Sequence, residues 1–367
     1  MTGGDRLSSL PDDLLRHILY FALVKEGATT GALGRRWRSL WPSSGAVNLD
    51  SRSYDDLDRY SKRYVIMRDA REAFAAADGN VTKLTFCYSE GEDDDHSDYE
   101  SFAFHDDVCE AKQDMARELE ALLSSPAASR LEELRIGLFY GPDSDAPGAG
   151  MLYNFSIGSL PPSRSLRVLH LSKCMNYDHE VHDPFHRLVE LRLHLCGVSF
   201  HLLQAHLLQG VIDGAPQLAT LDLDGSELWT GDPRWQQSVV LRCPRVTTLV
   251  LANLDDRCWG DKGQNTMELD APLLRWFRYQ GPVRSLSLKS PQPDMTRVDL
   301  RLHVPADVPT DGETCRTFVQ SFSNATIVNV DFELLDDQYD GGSVPHLLMY
   351  NDAMNFHICH LYFESNP

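Results

Sequence analysis

The sequence predicts an α/β protein in two parts. A short pair of amphipathic helices opens the chain, and an irregular solenoid of repeats follows, a curved parallel sheet backed by helices. Three observations carry this reading. Apolar residues recur at helical spacing within the first 42 positions. An apolar-x-x-apolar-x-apolar triplet then recurs along the body at a near-constant interval. The last two positions of each triplet alternate, as one face of a strand does.

The helical stretch is DRLSSLPDDLLRHILYFALVKEGATTGALGRRWRSLW, Asp5 to Trp41. Leu10, Leu14, Leu15, Ile18 and Leu19 fall on one side of a first helix. Pro11 suits the first turn, where its missing N–H would have had no partner. Asp12 and Asp13 set negative charge against the positive end of the helix dipole. In a second helix Leu33, Trp37, Leu40 and Trp41 share a side, opposite Arg35, Arg36 and Arg38, and Pro42 closes the run. Chains below about 40 residues rarely bury a self-sufficient core. The apolar sides must therefore meet either the rest of this chain or a groove on another protein.

Residues 43–79 read as a polar linker followed by a helix over Leu57 to Ala77, with Tyr60, Tyr64, Met67 and Ala70 at helical spacing. The triplets come next. They are Val81/Leu84/Phe86, Leu131/Leu134/Ile136, Leu166/Leu169/Leu171, Leu188/Leu191/Leu193, Leu218/Leu221/Leu223 and Val246/Leu249/Leu251. The series continues as Leu274/Phe277/Tyr279, Val283/Leu286/Leu288, Met295/Val298/Leu300 and Ile327/Val330/Phe332. The central spacings are 22, 30, 28 and 28 residues, close to those of leucine-rich repeats. A first gap of 50 and final gaps of 9 and 12 make the ends irregular. An α+β sandwich with evenly spaced strands is the alternative. The repeat body is expected over 80–335 and a C-terminal tail over 336–367.

Whole-chain features narrow the function. The net charge is −20 over 367 residues; residues 1–42 hold six Lys/Arg and four Asp/Glu, about +2, so the rest carries about −22. An acidic body argues against phosphate-backbone binding, so no nucleic-acid partner is expected. No apolar run approaches the ~20 residues that span a bilayer, and no membrane partner is expected. The opening MTGGDRLSS lacks the apolar core of a secretory signal. Eight scattered cysteines suit a reducing compartment, and the expected location is nucleus and/or cytoplasm.

Chemistry-bearing motifs are sparse. No nucleophile elbow or phosphate loop is present, so no catalytic residue is assigned. Glu90 to Glu100 holds seven acids but not the ligand order of a calcium loop. Cys174, His179, His182 and His186 have zinc-ligand chemistry, yet lack a paired CxxC or an HExxH order. They read instead as residues of a loop between repeats, and neither metal nor cofactor is expected. Trp229 and Trp235 fall in the polar loop after the Leu221/Leu223 strand. Loop tryptophans on a rigid scaffold either anchor a partner or fold inward over the core.

Leu10-Pro11-Asp12-Asp13-Leu14-Leu15, then His17-Ile18-Leu19, then Arg35-Arg36-Trp37-Arg38 with Leu40-Trp41 closely resemble the F-box, in the form found in plant F-box proteins with leucine-rich repeats. The sharp motif covers 5–42. The stretch from Phe318 to Pro367 resembles the strand and tail that close such proteins. The resemblance implies that Leu10, Pro11, Leu14, Leu15, Ile18, Leu19, Leu33, Trp37 and Trp41 stand at the family's apolar positions, some against a Skp-family adaptor and some within the box. It implies a non-catalytic receptor subunit of a Skp–cullin–F-box ubiquitin ligase, linked through the adaptor to a cullin–RING ligase, whose repeat body holds a protein target. Two other readings remain open: an interaction scaffold with a weak or non-functional F-box, and a small-molecule sensor. The chain departs from the family at Gly31 and Gly34, where Ser or Val is common. Each glycine costs roughly 1 kcal/mol against alanine inside a helix.

Overall fold

The computed structural model describes residues 7, 9–77, 81–89, 114–139, 155, 160, 164–174, 185–194, 204–225, 238–253, 266–282, 285–289, 292, 294–305, 312–335 and 346–349. The chain divides into two units, Met1–Arg187 and Leu188–Pro367. Both are mixed α/β, built on parallel strands.

The first unit begins with three short helices, where two were expected: α1 (Asp12–Leu19), α2 (Val24–Thr29) and α3 (Trp37–Leu40). Strand β1 (Ala46–Asp50) follows, in the stretch read as a polar linker. Ala46, Val47, Asn48 and Leu49 are all buried, so this strand is covered on both faces. Five residues with an asparagine at the centre give too short an alternation to be recognised as a strand. Helix α4 (Arg59–Ala76) has no Gly or Pro to break it. Its buried face is Ile66, Met67, Ala70, Ala73 and Phe74, continued by Ala77, while Tyr64 is exposed and lies off the expected face. Strands β2 (Lys83–Ser89), β3 (Glu133–Phe139) and β4 (Val168–Ser172) pair in parallel in the order β1-β2-β3-β4, and residues 114–123 form helix α5. Leu134 stands between Leu84 and Leu169, and Ile136 between Phe86 and Leu171.

The second unit runs β5 (Glu190–His194), α6 (Gln204–Asp213), β6 (Thr220–Asp224), β7 (Ser238–Arg242), β8 (Thr248–Ala252) and β9 (Thr266–Asp270). It continues with β10 (Trp276–Pro282), β11 (Ser285–Leu288), β12 (Arg297–Pro305), α7 (Gly312–Gln320), β13 (Ile327–Leu335) and β14 (His346–Met349). The larger sheet has the order β5-β6-β8-β10-β12-β13-β14, parallel except for the β13–β14 pair. Two ladders of buried side chains cross it in register. One is Leu191, Leu221, Leu249, Phe277, Val298, Val328, and the other Leu193, Leu223, Leu251, Tyr279, Leu300, Val330. Helix α7 adds Phe318 and the turn after it Phe322, whose rings pack on Tyr279 and Phe277 at 5.4 and 5.1 Å between centroids.

Two expected triplets are corrected. Leu286 and Leu288 of the expected Val283/Leu286/Leu288 triplet lie in β11, in a second, smaller sheet of order β11-β9-β7, and so fall between strands of the larger sheet, while Val283 lies outside the described residues. This is why the gaps of 9 and 12 looked too short. The last triplet is Ala325/Val328/Val330, because β13 pairs with β12 in that register and Ile327 is 50% exposed. A small alanine in the first position hid the true register.

A backbone device repeats at the strand starts. Gly45 O accepts from the amides of Thr82 and Lys83; Thr82 O from Glu132 and Glu133; Glu132 O from Arg167 and Val168. In the second unit Val189 O, Ala219 O, Thr247 O and Arg275 O each accept two successive amides in the same way. Buried polar backbone must be paired, and at three of these carbonyls a threonine hydroxyl donates as well: Thr82 Oγ1 to Gly45 O, Thr247 Oγ1 to Ala219 O and Thr296 Oγ1 to Arg275 O.

Candidate functional site

The N-terminal helices have their own small core: Leu15, Leu19, Trp37 and Leu40, with Leu10, Ala22 and Trp41 packed against it. The expected single face of α1 is divided. Leu15 and Leu19 are buried, whereas Leu14 is 51% and Ile18 47% exposed. Adjacent helix positions are rotated by about 100°, so consecutive leucines cannot share one side. Leu14, Ile18 and Phe21 follow one another at helical spacing along the outer side, and Phe21 is exposed just beyond the helix end. Leu33 and Leu7 are also exposed. Ten large apolar side chains are exposed among the described residues, and five of them lie in the first 33 positions. The exposed apolar side chains are thus concentrated in this segment.

Polar contacts hold the surface in shape. The Arg36 guanidinium donates to Asp12 Oδ1 at 2.7 Å and to the Leu10 carbonyl at 2.6 Å, tying α3 to the start of α1. Arg16 bridges Asp13 one turn along α1. In α2, Glu26 accepts from the Leu23 amide at 3.3 Å. Trp41 lies against Gly27, where an added Cβ would overlap the indole Cδ1 and Nε1. Here glycine is required by close approach. Gly31 and Gly34 differ: the first lies in a 3-10 turn and the second outside any helix. A Cβ on Gly31 meets Arg38 Cγ at an ordinary 3.5 Å, and one on Gly34 meets nothing within 4 Å. The expected cost of glycine inside an α-helix does not apply to either.

The helices are seated on β1 and β2. Asn48, buried in β1, donates through Nδ2 to the carbonyls of Tyr20 and Ala22 at 2.9 and 3.0 Å, where α1 ends. Lys83, buried at the start of β2, places Nζ 4.7 Å from the Tyr20 ring and 5.0 Å from the Phe21 ring. Burial lowers the Lys83 pKa, with Glu133 acting in the opposite sense. Burial, followed by the charges of Glu133 and Glu132, pushes the Tyr20 phenol up to about 12. Lys25 Nζ donates to Ser53 O at 2.7 Å and sits 4.9 Å from the Tyr54 ring centroid.

Of the residues singled out in the sequence, Leu10, Pro11, Leu14, Leu15, Ile18, Leu19, Leu33, Trp37 and Trp41 are all drawn into this helical cluster. Leu15, Leu19 and Trp37 face inward, Leu14, Ile18 and Leu33 outward, and Leu10 and Trp41 lie between. Phe21 was missed because it lies beyond the helix proper; its place four residues after His17, with the rings 5.3 Å apart edge to face, was the available signal. Trp229 and Trp235 lie outside the described residues, as do the acidic run over 90–100 and His179 and His182. Cys174 is buried and donates to Ser172 O, while His186 is exposed. Among the described residues no group of three His, Cys, Asp or Glu is placed to hold a metal. No described helix is long and apolar enough to cross a membrane.

Several Arabidopsis thaliana proteins are similar to this chain. An F-box/FBD/LRR-repeat protein is 47% identical over 53 residues, 14% of this chain and 12% of the relative. A second is 36% identical over 66 residues, 18% and 15% respectively. An F-box/LRR-repeat protein is 46% identical over 46 residues, 12% and 10%. The match thus spans a small part of each relative. No family model matches. In the stretches compared, this chain is similar to plant F-box proteins that carry leucine-rich repeats.

Proposed function

We propose that this protein is the substrate-recognition subunit of a Skp–cullin–F-box ubiquitin ligase. The outer stripe of α1 and its neighbours, Leu14, Ile18, Phe21 and Leu33, docks on a Skp-family adaptor, and through it on a cullin–RING ligase. The parallel-strand body, read as a leucine-rich repeat solenoid, holds a protein target. The chain makes no covalent bond itself. It raises the effective concentration of the target beside the ubiquitin-loaded enzyme, in the nucleus or cytoplasm. The observation that carries this reading is a helix with one side consumed by its own core and a second apolar side left exposed. Helix-in-groove recognition needs that second side.

The test is co-purification of the full chain with a Skp-family adaptor, against Leu14→Ala/Ile18→Ala. Both side chains are exposed in the free chain, so the double variant is expected to fold and to lose the adaptor. A well-folded wild-type chain that captures no adaptor would overturn the proposal.

A further inference from the structure

Leu14 and Ile18 are placed by helix α1, but Phe21 lies beyond the end of that helix. Its side chain is 63% exposed, yet the ring is confined on three sides. The His17 and Tyr20 rings meet it edge to face, each at 5.3 Å between centroids. Lys83 Nζ, reaching up from β2, lies 5.0 Å from its centroid. The backbone is held as well. Asn48 of β1 donates to the carbonyls of Tyr20 and Ala22, one on each side of Phe21, and the Phe21 amide donates to Ile18 O at 3.1 Å. An exposed aromatic ring ordinarily loses rotamer freedom when a partner covers it; this ring is ordered beforehand, by groups from two strands.

Lys83 is the unusual member of this group. It is only 9% exposed, and lysine is rarely buried without a carboxylate partner. Among the described residues the partners of its Nζ are the Tyr20 and Phe21 rings. Burial disfavours its charge, Glu133 beside it on β3 favours the charge, and Arg135 opposes it. For packing alone a methionine would fill the site with similar reach and no charge to desolvate. What the ammonium adds is attraction to the two rings, and that attraction strengthens as water is excluded. A partner docked over Phe21 excludes that water.

We propose that Lys83 is a positioning residue for adaptor docking: its ammonium holds the Phe21 ring at the end of the Leu14–Ile18 stripe, so that strand β2 completes the docking surface of the helices. This rests on the ligase-receptor reading. The test measures the dissociation constant of a purified Skp-family adaptor for the full chain, in a double-mutant cycle between positions 83 and 21. Lys83→Met is expected to weaken the adaptor about tenfold in the parent background, but by less than about twofold when Phe21→Leu is already present. Lys83→Gln, uncharged and of similar length, runs through the same cycle as a second probe. Lys83→Arg keeps a cation over the rings and is expected to stay within about threefold of the parent. The denaturation midpoint of Lys83→Met is expected to match or exceed that of the parent, because a desolvated charge has been removed. A loss of adaptor that persists undiminished in the Phe21→Leu background would overturn the proposal and leave Lys83 a part of the seat only. Parent and neutral variants that bind the adaptor equally well would overturn this inference alone. A parent chain that binds no adaptor would remove the ligase reading and this inference with it.

Discussion

The helical cluster and the strand ladders spend their apolar residues differently. In the larger sheet of the second unit each ladder position, from Leu191 to Val328 and from Leu193 to Val330, is consumed by the core. In α1 only alternate members of the leucine set are: Leu15 and Leu19 go inward, and Leu14 and Ile18 remain outside. A strand separates its two faces by 180°, so an apolar residue and its neighbour have unambiguous destinations. A short helix spreads its apolar residues over a wide arc, and a four-residue core cannot cover that arc. The surplus stays exposed. The same comparison isolates Trp276, the one large apolar residue of β10 on the polar side of the ladders.

Substitutions can sharpen this contrast, from the largest effect to the smallest. Leu249→Ala removes a fully buried ladder residue between Leu221 and Phe277 and is expected to cost about 3–4 kcal/mol, read by chemical denaturation. A loss below about 1 kcal/mol would mean that the ladder is not the core of the unit. Gly27→Ala forces a methyl into the Trp41 ring and is expected to cost about 2 kcal/mol. Gly31→Ala and Gly34→Ala should stay within about 0.5 kcal/mol of the parent, since each Cβ has room.

Asn48→Ala removes the donor to two carbonyls at the end of α1 and is expected to cost about 1–2 kcal/mol. Amide hydrogen exchange should accelerate first in α1, with β3 unaffected; uniform acceleration would show that the helices have no independent seat. Asp299→Asn tests, through pH, the carboxylate that accepts from Trp276, Arg297 and Asn329. A carboxylate whose pKa is depressed by folding stabilises the native state above its unfolded pKa, and that contribution is lost as pH falls through the folded value. The parent chain should therefore lose more stability than the variant on acidification below the ordinary carboxylate range, and parallel pH profiles would contradict the stabilising bonds to Asp299. Leu14→Ala/Ile18→Ala should change stability by no more than about 1 kcal/mol in total, while abolishing adaptor capture.

Much of this was legible beforehand, for particular reasons. Leu221/Leu223 and Leu249/Leu251 announced themselves because a period of two set within a period of 28 is the pattern that neighbouring strands of repeated units produce. Pro11 with Asp12 and Asp13 marked the start of α1 to within a residue. Strand β1 did not announce itself, because Ala46-Val47-Asn48-Leu49 is buried on both faces and so does not alternate. Ile327 misled because a large β-branched residue beside Val328 and Val330 looks more like core than Ala325 does. Strand propensity carries no information about which face a residue takes.

The sequence by itself determined the elements that depend on local periodicity: helices at 12–19 and 59–76, the strands at the triplets, and an acidic body beneath a slightly basic N-terminus. The tertiary structure decided the rest. It sorted Leu14 from Leu15, set Asn48 and Lys83 under the end of α1, moved Leu286 into a second sheet, and brought Trp276, Arg297 and Asn329 onto one carboxylate. Most of these contacts join residues far apart in the chain: Asn48 lies 28 positions from Tyr20, and Trp276 lies 23 from Asp299. Local propensity is blind to them, because the partner that decides each side chain's environment arrives only when the strands pair.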